Sequence, residues 1–135
     1  MSKLAHFTLQ QALYTLLSED SEILSIVTGV YENPSPVIAY PYLVFGSLTA
    51  LDWSTKTTSG LQTVVPIHAY SQTSKKEVIE IINRVYDLLL SGPLTLDGHD
   101  LVAMRFEFSE ITLENDGVTY HGVIRFRAYT EAVAA

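Results

Sequence analysis

Apolar positions follow helical spacing in the first part of the chain and again near its middle, and strand-like runs fill most of the remainder. From Ser74 to Gly92, Val78, Ile82, Val85 and Leu89 form one stripe and Ile79, Tyr86 and Leu90 widen it. That pattern predicts an amphipathic helix of about 25 Å lying on a sheet. Ser74 and Glu77 have the S-x-x-E spacing of a capping box. Gly92 can close the last turn in the left-handed conformation, and Pro93 cannot continue the helix. An earlier helix is predicted over Thr8 to Leu17, with Thr8 and Gln11 as a second capping box and Leu9, Ala12, Leu13, Leu16 and Leu17 on its apolar face. After the polar break Ser18 to Ser21, Ile23, Leu24, Ile26 and Val27 predict a short helical stretch stopped at Gly29.

The three prolines between Tyr31 and Pro41 predict extended loop, with the Tyr40–Pro41 bond in the commoner trans form. Aromatic and β-branched content predicts strands over Tyr42 to Leu51 and Gln62 to Tyr70, the second holding Pro66 at an edge or a bulge. Between them Asp52 to Gly60 is a polar loop of nine residues, longer than the two to five or so that a hairpin needs. Leu94 to Leu96 and Leu101 onward flank a short turn, Asp97-Gly98-His99-Asp100, with glycine placed for positive φ. A long hairpin, Leu101 to Leu113 with Val118 to Thr130, ends the chain before a frayed Val133 to Ala135. A three-residue loop, Asn115-Asp116-Gly117 with Gly117 at the left-handed position, pairs Phe106 with Phe126 and Phe108 with Ile124, and sets Glu107 opposite Arg125. Each strand is about twice the usual length, so the hairpin is expected to bend and to reach beyond the core.

The expected architecture is α+β: a mainly antiparallel sheet of about four strands packed on one long central helix, with the N-terminal helix alongside. The 135 residues form one expected domain, with a core over about 8–130. A composition 47% hydrophobic and 17% charged is that of a globular chain. A formal charge of −7 with only eight Lys and Arg argues against general nucleic-acid binding. No cysteine is present, which removes disulfides, thiol nucleophiles and cysteine zinc sites. Neither a signal-peptide pattern nor an apolar run of membrane-spanning length is found, so the expectation is a soluble protein assembled in a cytoplasm, with no membrane partner.

The chemistry of the chain is sparse. His6, His68, His99 and His121 are scattered in sequence, and Asp97-Gly98-His99-Asp100 is a turn before it is a metal site. None of the common catalytic or nucleotide-binding signatures occurs. Glu107 and Glu110 differ in strand parity and should point to opposite faces, with Glu107, Glu110 and Glu114 read as solvated. No catalytic residue, cofactor or metal is assigned. Trp53, alone among polar loop residues, either folds back on the sheet or anchors a contact. Ile111, Leu113 and Tyr120, near the hairpin tip, either pack on the N-terminal helices or meet another subunit.

The ordered segments also carry a resemblance. A Leu-rich N-terminal helix precedes Val30-Tyr31, Tyr40-Pro41-Tyr42-Leu43-Val44-Phe45-Gly46 and Asp52-Trp53-Ser54-Thr55-Lys56. A strand ending His68-Ala69-Tyr70-Ser71 leads to the central helix, then Leu94-Thr95-Leu96-Asp97-Gly98-His99. Asp116-Gly117 and His121-Gly122-Val123-Ile124-Arg125-Phe126-Arg127 complete the set. Over about Leu9 to Thr130 this resembles the tail-completion, or tail-terminator, proteins of long-tailed phages, prophages and gene-transfer agents, with Pro66 departing from the pattern. The resemblance implies a structural virion protein at the head-proximal end of a tail, acting as a homo-hexameric ring. Its implied partners are further copies of itself, the tail-tube protein and the head-side connector or stopper protein, with DNA only in passage. It also places subunit or tube contacts on the loop (Asp52, Trp53, Ser54, Thr55, Lys56) and on the hairpin tip (Ile111, Leu113, Asn115, Asp116, Gly117, Tyr120). Two rivals differ in kind: another ring-forming neck or head–tail adaptor, and a small-ligand-binding or enzymatic α+β domain.

Overall fold

A computed structural model of the protein describes residues 4–32, 39–92 and 94–133. Pro34, Pro36, Pro93 and the last two residues of the expected frayed end lie outside these. Helices α1 (His6–Ser18) and α2 (Ser21–Ile26) open the chain. Strands β1 (Val30–Tyr31), β2 (Tyr42–Phe45), β3 (Thr49–Asp52) and β4 (Gly60–Ser71) follow. Helix α3 (Lys75–Leu90) then leads to β5 (His99–Leu113) and β6 (Tyr120–Ala132). The α+β class is as expected, but the sheet has six strands, in the order β1-β2-β4-β6-β5 with β3 also on β4. Among the described residues only the β1–β2 pair is parallel.

One of the two extra strands is β1, and the other comes from a run that divides. The stretch Tyr42 to Leu51 is not one strand: it leaves the sheet at Gly46 and returns at Thr49, so β2 and β3 pair in succession with the two halves of β4. Pro66 sits opposite that gap. In an antiparallel strand the N–H and C=O of one residue point the same way. The Pro66 carbonyl accepts from Gly46 N at 2.8 Å, so the donor that proline lacks would have faced the vacated edge. Proline is thus tolerated well inside a long strand, with no bulge in β4. The Tyr40–Pro41 bond is cis, against the expected trans.

All three helices lie on one face of the sheet. Val65, Ile67 and Ala69 of β4, Ile124, Phe126 and Ala128 of β6, and Leu43 and Phe45 of β2 meet Val78, Ile81, Ile82, Val85 and Leu89 of α3 and Leu9, Leu13 and Leu17 of α1. The α3 stripe is therefore right in its centre and wrong in its flank. Ile81 is buried, whereas Ile79, Tyr86 and Leu90 are exposed. The reason is what stands on either side. Arg84, one turn from Ile81, reaches α2, while the flank of Ile79, Tyr86 and Leu90 borders edge strand β5 with no further layer of described residues over it.

The caps differ from the sequence patterns in detail. Ser74 Oγ accepts from Glu77 N at 3.1 Å, but the Glu77 carboxylate turns to Ser71 Oγ at 2.6 Å. The second half of that capping box is replaced by a bond to the end of β4. Helix α1 starts before Thr8, whose hydroxyl instead accepts from Asp97 N at 2.7 Å and ties the helix to the distant turn. At the end of α3 the cap is Ser91, and Gly92 is not left-handed. Asp20, read only as part of a polar break, caps α2 by accepting from Ile23 N and binds Arg84 of α3 at 2.7 and 3.0 Å. That arginine is the main cause that holds the Asp20 carboxyl below its ordinary range.

Candidate functional site

The expected surfaces lie at opposite ends of the sheet. The rung that joins Gly60 to Glu131 marks one end of β6, and the rung that joins Leu113 to Tyr120 marks the other. The stretch of β6 from Tyr120 to Glu131 lies between them, about 40 Å at the usual rise of an antiparallel strand. Loop and tip therefore form two surfaces and not one.

The loop after β3 is built by its own polar groups. Trp53 N donates to Gly60 O at 2.8 Å, Ser54 Oγ donates to Asp52 Oδ1 at 2.7 Å, and Gly60 N donates to Ser54 Oγ at 3.1 Å. Thr55 Oγ1 accepts from Thr58 N, and Thr55 N donates to Thr58 O, which turns the chain around Lys56. Trp53 folds back edge-on to Tyr129, ring centroids 5.0 Å apart, yet keeps 37% of its surface exposed. Asp52, Ser54, Thr55 and Lys56 are all exposed around it.

The hairpin tip corrects the expected register. The loop has four residues, 115–118, closed by Glu114 N donating to Thr119 O, with Gly117 at φ +72. Asp116 explains the longer loop. Its carboxylate accepts from Val118 N, Thr119 N and Thr119 Oγ1, an arrangement that a three-residue loop does not present. Those three bonds, the Thr119 hydroxyl first, hold Asp116 below its ordinary range.

A bulge at Glu107 then absorbs the difference. Phe106 pairs with Phe126 as expected, but Phe108 pairs with Arg125 and not Ile124. Phe108 thereby moves to the helix-free face, where the Arg125 guanidinium sits 4.8 Å over its ring. Glu107 binds both Arg125 and Arg127, at 2.8 and 2.7 Å, which keeps its carboxyl below the ordinary range. Parity counted across the bulge fails, so Glu107 and Glu110 share one face.

The tip reaches little beyond the core, because the end of β4 is level with the start of β6 and Gln72 donates to Thr119 Oγ1. Ile111 and Tyr120 are partly buried against the core, while Leu113, Asn115, Asp116 and Gly117 are exposed. What covers this end is the first part of α3, where Val78 and Ile82 lie over Gly122, the residue paired with Ile111. Helices α1 and α2 pack on α3, and α1 on β1 as well, toward the β1 edge of the same face.

Two further surfaces were not read from the sequence. One is the open edge of β5, flanked by exposed Val102, Phe106, Ile79, Tyr86 and Leu90, with Tyr86 edge-on to Phe106 at 5.2 Å. The other is the helix-free face, where Tyr40, Tyr42, Tyr70, His68 and His121 form a continuous run of ring contacts. Burial, aided by Tyr40 and Tyr70, pushes Tyr42 up to about 12. Period-two counting along β4 and β6 places His68 and His121 on one face once those strands are known to be neighbours. Sequence spacing alone hides this. A groove of about 580 Å³ also opens between the start of α1 (His6, Phe7, Gln10) and the β2–β3 connection.

Exposed edges, a one-sided sheet and two remote loop surfaces are features of a protein that acts by fitting against other proteins. The comparisons place the chain in that class, among structural proteins of phage tails. It belongs to the family of tail completion protein gp17, which its residues 11–131 match. It is 31% identical over 125 residues to tail completion protein gp17 of Bacillus phage SPP1, covering 93% of each chain. A chain in the virion of a native gene transfer agent particle superposes with a TM-score of 0.88 at 25% identity, covering 97% of this chain and 100% of that one. The solved structure of bacteriophage SPP1 gp17 superposes with a TM-score of 0.62 at 24% identity, covering 98% and 97%.

Proposed function

We propose that this protein forms a hexameric ring on the head-proximal end of a tail tube, ends the growth of the tube and joins it to the head-side connector. DNA passes through the opening. The observation that carries this reading is the chain-length likeness to a chain of a gene-transfer-agent virion, at a TM-score of 0.88. The surfaces suit the role. A ring needs two unlike contact regions on each subunit, since a head-to-tail contact closes into a ring when its rotation permits. The open edge of β5 with its apolar flank serves one of them. The Asp52–Gly60 loop and the hairpin tip, at opposite ends of β6, address the two partners above and below. An acidic chain of net charge −7 lets DNA move past without trapping it.

Electron microscopy of the purified protein mixed with tail tubes that lack it tests the proposal. Rings seated on one end of each tube, and tubes that stop lengthening, are the expected result. Tubes that bind no ring and continue to grow would overturn it.

A further inference from the structure

His68 of β4 and His121 of β6 stand diagonally across neighbouring strands on the helix-free face, with His68 Nδ1 and His121 Nε2 only 2.7 Å apart. The ring planes differ by 27° and the centroids are 4.9 Å apart, so the two nitrogens point at each other. A metal ion bound by both would stand about 2.0–2.1 Å from each nitrogen and spread them apart. A proton fits the gap. On its other side, His121 Nδ1 lies 3.0 Å from Glu114 Oε1, where the hairpin strands give way to the loop.

The hydrogen-bond roles follow from what each atom can do. An ionised carboxylate only accepts, so His121 donates from Nδ1. Neutral His121 then accepts at Nε2, and His68 must donate from its own Nδ1. The result is a directional chain, His68 to His121 to Glu114, with both imidazoles neutral. One added proton is still accommodated: carried by His121, it lets Nε2 donate to His68 Nδ1 while His68 holds its own proton on Nε2; carried by His68, it leaves the inner bond as it was. A second proton has no such solution, because two imidazolium N–H groups would then face each other across the gap.

We infer that the Glu114–His121–His68 chain is an acid-sensitive latch, which fastens the end of the β5–β6 hairpin to the middle of the sheet and lets go when both rings are protonated. Its surroundings set the order of events. Tyr70 of β4 stacks on His121 at 4.4 Å, and Tyr42 of β2 stacks on Tyr70. Negative charge near the pair comes from Glu110 of β5, opposite Val123, and from Glu114. Arg125, the next outward residue of β6 beyond Val123, opposes the second proton. Burial and the neighbouring His121 hold His68 below the ordinary histidine range. This device is independent of the proposed place in the tail.

Nitrogen-15 NMR of the full chain tests it. At about pH 8 both rings are expected as the Nδ1–H tautomer, which free histidine disfavours. Between about pH 8 and about pH 5, amide protection over residues 112–121, corrected for intrinsic exchange, should fall about tenfold or more relative to the centre of β4. In His68→Asn the amide can turn over to donate to or accept from His121 Nε2 and does not titrate, so the fall should shrink to within about twofold. An Nε2–H tautomer at His68 near pH 8, an unchanged protection in the wild type, or a full-sized fall in the Asn variant would each overturn the latch. Should that variant not fold, the wild-type tautomers and exchange still decide.

Discussion

Gly122 is where the sheet comes closest to α3: a Cβ there would lie 2.5 Å from Val78 Cγ1 and 3.1 Å from Ile82 Cγ1. Gly122→Ala should therefore lower stability by about 1–3 kcal/mol through overpacking, as read from urea unfolding. Thr130 presents the opposite case, since its hydroxyl is buried with no partner. Thr130→Val keeps the shape and removes that burden, and should raise stability by about 1 kcal/mol in the same measurement. The titrating groups give stability two acid-sensitive windows. Asp20, Glu107 and Asp116 all have folded values below their unfolded ones. Their contribution is complete above the unfolded carboxylate range, about pH 4, and is lost as pH falls through the lower folded values. His68 is also lowered, but here the neutral form is favoured by folding. Its effect is a loss that begins as pH falls below about 6.5. Urea midpoints should thus decline slightly from about pH 7 to about pH 5, then steeply below about pH 4, with the first decline reduced in His68→Asn.

At the scale of elements, the loop between β3 and β4 and the edge of β5 invite separate tests. Trp53 and Gly60 are already hydrogen-bonded across the loop. Replacing residues 54–59 by Asn-Gly would leave a two-residue turn on an intact rung. We expect a folded protein whose tails fail to join heads, scored by particle counts in the electron microscope; infectious particles at the normal yield would remove the loop from the joining surface. Phe106→Glu, on the exposed flank of β5, loses ring contacts with Tyr86 and Phe126 and should lower the urea midpoint modestly while leaving a folded protein, but cut ring formation on tubes about tenfold or more. The helices were legible because each carries several turns of apolar periodicity, so that a misplaced cap leaves the element intact. The hairpin was legible as a hairpin. Its register was not, because the bulge at Glu107 and the Asp116-closed loop each shift the count by one residue. The two shifts cancel at Phe106 and do not cancel at Phe108.

For the whole molecule, the placement of surfaces matters more than any one of them. In the proposed ring, a loop and a tip about 40 Å apart along one strand and the open edge between them would each take a different neighbour. The sequence by itself determined the α+β class, the buried centre of α3, the positive-φ glycines at 98 and 117 and the tail-protein family, because these rest on local periodicity, turn chemistry and segment order. Only the tertiary structure decided that Tyr42 to Leu51 splits into two strands and that Ile79, Tyr86 and Leu90 stay exposed. It alone joined Glu114, His121 and His68. These depend on which strands become neighbours and which flank another layer covers, and contacts between residues 53 positions apart leave no trace in local spacing.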